Sequence, residues 1–212
     1  MTSHDRLIAD VAKAILVPIG FQQKGRSRVW LLDHGWWLTV VEFQPSAWAK
    51  GSGLNVAAHW LWIDQAHLSF DYFEYSEKFI EYASDAQFEP EVTRLAQAAA
   101  REANRLQQIF TSIEAAATVL AAEERALPDT AQGSWSAYNA GMAMALSGQT
   151  DDAADMFSSV RDERVRPAVG RAENLLSDPL KLRRTVEVLM SEHRSALGLM
   201  PRRQEGDALK VR

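Results

Sequence analysis

Five histidines and a scatter of hydroxyls are the first places to look for chemistry in this chain of 212 residues. Nucleophilic catalysis needs a hydroxyl or thiol with a base in reach. Cysteine is absent, which removes disulfides, thiolate nucleophiles and every cysteine-based zinc or iron–sulfur site. Ser46 follows a predicted strand, and His34, His59 and His67 fall in the same region, so a Ser–His pair is one reading of that stretch. No Gly-x-Ser-x-Gly elbow accompanies it. His59, Asp64 and His67 offer donor atoms, but catalytic zinc takes three close protein ligands, and His-x-x-x-x-Asp-x-x-His is not a strong ligand spacing. Glu123-Glu124 and Asp151-Asp152 sit at predicted helix ends, where carboxylates are solvated or cap the helix. Gly51-Ser52-Gly53 lacks both the Gly-Lys-Ser/Thr step and the following helix of a phosphate loop. The sequence therefore assigns no catalytic residue, no metal ligand and no cofactor.

A binding surface is easier to find. Six of the seven tryptophans, Trp30, Trp36, Trp37, Trp48, Trp60 and Trp62, crowd into one stretch, and only Trp135 lies outside it. Tryptophan joins a large apolar area to an N–H that wants a partner, so it is favoured at interfaces. Two readings follow: the rings fill a sheet–helix core, or some of Trp36, Trp48 and Trp60 stand on a sheet face or a loop and anchor a partner. In the second reading Arg26, Arg28, Gln44, Ser46, Asn55 and His59 form the polar rim.

Composition sets the frame for these residues. The chain is 47% hydrophobic and 24% charged, inside the soluble globular range. Residues 1–75 carry a net charge of −1, residues 76–133 carry −5 and residues 134–212 carry +1. No segment is a strong cationic patch, and nucleic-acid affinity rests on phosphate neutralisation by Lys and Arg, so nucleic acid is not an expected partner. The N-terminus has no basic and then apolar leader. Apolar runs break well short of the roughly 20 residues that span a bilayer. These features predict a soluble cytoplasmic protein without a membrane partner.

Leu7, Ile8, Val11 and Ile15 recur at helical spacing, predicting a helix over 5–17 capped by Thr2 or Ser3 and stopped by Pro18 and Gly20. Residues 28–32 predict a strand, Asp33-His34-Gly35 a bulged turn, and Trp36–Gln44 the returning strand. A loop to Gly53 follows, then strands over Leu54–Ile63 and His67–Tyr75. The fold class read from this order is α+β: an N-terminal helix on a four-stranded antiparallel sheet, followed by an all-helical C-terminal half.

From Ser76 the period shifts to about 3.6. A short helix is predicted to about Ala83, with Pro90 opening a long apolar stripe over 91–126 whose continuity near Ala98–Ala100 stays open. Trp135–Val160 predicts a helical hairpin turned at Gly148. Two further helices start at Arg166-Pro167 and Asp178-Pro179, and residues 201–212 read as a disordered tail. The expected division is 1–75, 76–200 and the tail.

Two family resemblances attach to these residues. Gly20-Phe21, Lys24 and Arg26, a strand leading to Gln44 and Ser46, and then Leu54-Asn55-Val56 resemble the bacterial family catalogued as domain of unknown function 4304. The resemblance covers roughly residues 5–75. Pro45 stands where that family usually has Lys, and Gly53 where Thr is common. It implies a fold type and little chemistry. Separately, Tyr138, Gly141, Gly148, Ala153 and Phe157 resemble one tetratricopeptide-repeat hairpin, whereas a stable solenoid needs about three copies.

The functional expectation is a non-enzymatic protein-binding module, with an immunity-type protein as one concrete version. The alternative is a small-ligand binder or enzyme with a pocket between sheet and helices, where Arg28, Gln44 and Asn55 orient the ligand. A third reading is homo-oligomerisation through the long helix.

Overall fold

The computed structural model describes residues 3–65 and 67–199, apart from the side chain of Glu74. Thr2 and the tail over 201–212 lie outside the described residues. The chain forms two compact units, each discontinuous in sequence. Among the described residues the first comprises residues 3–59, Leu68–Gln107 and Leu197–Leu199, and the second residues 60–65, His67 and Gln108–Ala196. The fold is α+β: an N-terminal helix, then strands, then helices.

In the first unit α1 (Ser3–Leu16) buries Ile8, Ala12 and Leu16 along one face, as the three-to-four spacing requires. Ser3 does not cap it; its hydroxyl donates to Asp85 at 3.0 Å. The strands are β1 (Gln22–Gln23), β2 (Val29–Asp33), β3 (Trp37–Glu42), β4 (Gly51–Trp60) and β5 (Tyr72–Glu81). They form one sheet in sequence order. The β1–β2, β2–β3 and β4–β5 pairs follow the antiparallel register expected of short connections. Gly35, at φ 107°, turns β2 into β3, and the Asp33 carboxylate accepts its N–H at 2.8 Å.

Three expectations about the sheet are corrected. It has five strands, because Gln22 and Gln23 pair with Leu31 and Trp30; two polar residues carry no alternation to announce a strand. β4 begins at Gly51 and ends at Trp60, so Gly51 and Gly53, read as breakers, belong to the strand. The last strand lies over 72–81 and absorbs Ser76–Glu81, where a helix was expected. Two register shifts against β4, between Ser52/Leu54 and Val56/Ala57, interrupt the alternation that identifies a strand.

α2 (Asp85–Ile109) starts earlier than the stripe suggested. Ser84 accepts the N–H of Gln87 at 3.3 Å, and the Gln87 side chain accepts the N–H of Ala83 at 3.1 Å. This reciprocal cap sets the start, so Pro90 stands inside the helix and not in its first turn. The long stripe is broken at 110–112, not near Ala98: α3 (Ile113–Ala126) begins afresh with Ser112 capping Ala115 at 3.2 Å.

α3 lies in the second unit with α4 (Trp135–Leu146), α5 (Thr150–Ser158), α6 (Arg166–Glu173) and α7 (Pro179–Ala196). The predicted hairpin is α4–α5. α4 is buried from Ala137 to Leu146. A Cβ at Gly141 would stand 2.5 Å from the Phe157 ring, so only glycine admits that close approach. Glu124 is buried and accepts the N–H of Gly133 at 2.7 Å and the Ser136 hydroxyl, which places a carboxylate at the positive end of α4. Trp60 lies between Trp62, stacked at 5.2 Å, and Phe110, edge-on at 5.0 Å. Among the described residues no helix is long and apolar enough to cross a membrane.

Two predictions follow. Gly141→Val forces Phe157 out of its rotamer and destabilises the fold by about 1–3 kcal/mol, read from urea midpoints. Burial pulls His4 below its ordinary value of 6.5, with Asp5 opposing and Arg28 and Lys50 assisting. The unfolded chain therefore takes up this proton first, and stability is lost as the pH falls below about 6.5. The His4 ring, followed by NMR, will titrate below 6.5, and His4→Gln will flatten the loss between neutral and acidic pH.

Candidate functional site

The segment joining β3 to β4 holds the most exposed tryptophan. At its base Gln44 and Gly53 exchange both backbone hydrogen bonds, each 3.0 Å long. Within it the Ser46 hydroxyl accepts the N–H of Trp48 at 3.1 Å and of Ala49 at 3.3 Å. A serine that satisfies two nearby backbone donors fixes a turn without help from the rest of the chain. The Trp48 side chain projects outward and is 95% exposed.

Three other elements hold the far end of this loop. The Lys50 carbonyl accepts the Tyr82 N–H at 2.9 Å. The Gly51 carbonyl accepts Nη1 of Arg28 at 2.8 Å, and Nε of the same guanidinium donates to Asp5 of α1 at 3.0 Å. Gly51 itself sits at φ +145°, where a Cβ would stand 2.1 Å from the Ile80 carbonyl and 2.8 Å from the Phe79 ring. The part-exposed Phe79 ring thus lies at the base of the loop. Arg28, Gln44, Ser46 and Trp48 are brought together by this arrangement, although Arg28 serves as an internal clamp and not as a rim residue.

The other expected site residues are placed elsewhere. Trp36 is 6% exposed and Trp60 is fully buried, so neither offers a surface; Trp36 packs against Trp37 at 6.0 Å, and Trp60 is enclosed as described. Asn55 is buried and donates to Glu42 across the sheet at 3.0 Å. Arg26 is exposed at the edge of a cavity of about 170 Å³ lined by Asp5, Ile8, Gln23, Arg28 and Trp30. This is a cavity between a helix and the sheet region, as the ligand reading required. Gln44 and Asn55 do not line it, so the expected polar trio does not converge there.

His59 is 2% exposed and belongs to no rim. Its Nδ1 lies 2.9 Å from Asp71 and 3.0 Å from Ser69, and the Ser69 hydroxyl donates to the same Asp71. In a nucleophilic triad the carboxylate and the serine bond opposite ring nitrogens; here both sit on one. Together with the Asp71 N–H on the Ala58 carbonyl at 2.9 Å, the cluster clamps the segment before β5 onto β4. The Ser–His reading fails at Ser46, whose hydroxyl is committed to the loop, and at His34, which bonds Thr39 at 2.9 Å and stacks on Trp37. Asp64 faces Arg171 at 3.6 Å. Among the described residues no group of three or more His, Asp or Glu could hold a metal ion.

Reading the sequence missed Asp5, Phe79 and Tyr82. Asp5 lies in the first turn of α1, where an acid is expected for the helix alone. The other two fell in a stretch read as helix up to Ala83, which hid their place beside Gly51. Comparison with protein-family models, with curated proteins and with solved structures found no match to this chain.

Proposed function

We propose that the chain is a non-enzymatic binding protein that takes a protein partner through Trp48. The observation that carries this reading is the 95% exposed indole on a loop fixed at both ends. Tryptophan is enriched among the residues that dominate binding energy. A loop already held by Ser46, Gln44–Gly53 and Arg28 loses little conformational freedom when it meets a partner. Phe79 adds apolar area beside the loop, and the exposed Gln44 and Lys50 supply polar contacts around it.

An immunity-type role, in which a small acidic chain occludes a partner, is the concrete form of this reading, and it places the protein in the cytoplasm. Kinship of residues 5–75 with the domain of unknown function 4304 family is proposed with it, on Gly20-Phe21, Lys24, Arg26, Gln44, Ser46 and Leu54-Asn55-Val56. Kinship of the α4–α5 hairpin with a single tetratricopeptide-repeat unit is proposed on Tyr138, Gly141, Gly148, Ala153 and Phe157.

Trp48→Ala provides the test. The variant is expected to keep the wild-type circular dichroism and to stay within about 0.5 kcal/mol in stability, as an exposed substitution should. It is expected to lose the red-shifted, acrylamide-quenched part of the tryptophan emission. From native extract the wild type should retain a stoichiometric protein that the variant releases. A protein held equally by both, or none held by either, overturns the reading.

A further inference from the structure

The second unit contains a cavity of about 280 Å³ that the binding loop does not use. Trp62 and Tyr138 supply aromatic walls, and Met142, Leu182, Val186 and Leu189 an aliphatic lining. At this volume it stands at the lower end of the range for small-molecule sites. Trp62 is held in place by its Nε1, which donates to the buried Asn139 at 3.1 Å, so the wall is set before anything enters.

Tyr138 shows which end of the cavity is polar. Its side chain is 5% exposed, and its hydroxyl, which bonds no described residue, is not among the fully enclosed polar atoms. Burial pushes this phenol up to about 12, while Arg171 and Asp64 act on it in opposite directions. Both of those residues line the same cavity as Tyr138.

The charges there do not balance. Arg171 and Asp64 face each other at 3.6 Å, both largely exposed, and neutralise one another. Glu192 also lines the cavity and has no ionic partner among the described residues. The lining is left with one net negative charge beside two electron-rich rings, a setting that favours a cation.

We propose that this cavity is a binding site for a small organic amine, with an aromatic or branched apolar body against Trp62 and Tyr138 and an ammonium group toward the Tyr138 hydroxyl and Glu192. The site is independent of Trp48.

The test compares three indoles that share one body and differ in the head: tryptamine, 3-methylindole and indole-3-acetate. Each is titrated into the full chain by calorimetry, with the Trp62 indole N–H followed by NMR. Tryptamine is expected to bind most tightly and indole-3-acetate most weakly, and tryptamine should shift the Trp62 signal. Glu192→Gln, a surface change that leaves the fold intact, is expected to weaken tryptamine about three-fold and to leave 3-methylindole unchanged. Leu189→Trp, which fills the cavity, is expected to abolish both. Absence of binding by all three, equal affinity for the three heads, preference for the acetate, or binding that leaves the Trp62 signal in place overturns the proposal.

Discussion

Ten consecutive residues of β4, from Gly51 to Trp60, are buried. A strand covered on both faces has no water to satisfy its backbone, so pairing on either side becomes obligatory. β3 and β5 fill those two positions. The same burial governs every polar side chain that the strand carries. Ser52 donates back to the Gly53 carbonyl at 2.8 Å, Asn55 reaches Glu42, and His59 meets Asp71 and Ser69. Ser52, Asn55 and His59 are each matched inside the protein because leaving such a group unmatched would cost about 1–3 kcal/mol. Asn55 and His59 are therefore internal fasteners, and the exposed aromatic surface is displaced to Trp48, on the loop that precedes the strand.

That displacement explains the architecture around Trp48. The loop can be exposed and yet ordered because its anchoring groups are drawn from elements already fixed by other demands. Arg28 bonds Asp5 on one side and Gly51 on the other, so the α1 terminus, β2 and the start of β4 share one guanidinium. Its planar fork of donors suits a carboxylate and a carbonyl at once, which a lysine ammonium does not reproduce. The second unit reaches order by another route. Its helices rely on small residues at close contacts, with Gly141 under Phe157, and on a buried carboxylate at the head of α4.

Much of this was legible in the residues, and the failures have physical causes. α1, the Gly35 turn, the α4–α5 hairpin and the start of α7 were all announced by periodicity, caps or glycine. β5 was not. Its alternation is interrupted twice by register shifts, and the polar run Ser76-Glu77-Lys78 in its middle reads as the end of one element and the cap of the next. Gly51 and Gly53 carry the signature of a loop, yet both lie in a strand, and at Gly51 the Ile80 carbonyl and the Phe79 ring come too close for any side chain. The α2 cap, Ser84 with Gln87, was present in the sequence but was masked by the stronger proline signal at position 90. For the site, residue type pointed to Gln44, Ser46 and Trp48, which the structure places on one loop. It did not separate Trp48 from Trp36 and Trp60, because burial is decided by partners remote in sequence, such as Phe110 for Trp60.

The two register shifts in β5 also bear on what the protein does when concentrated. β5 ends the sheet, is ten residues long, and carries part-exposed Phe73 and Phe79. A straight strand of that kind is a template for stacking further chains into fibres. Each shift twists the strand and redirects its free N–H and C=O groups, so no run of more than a few residues presents them in a line. The irregularity that concealed this strand in the sequence therefore also breaks the straight edge that such stacking requires.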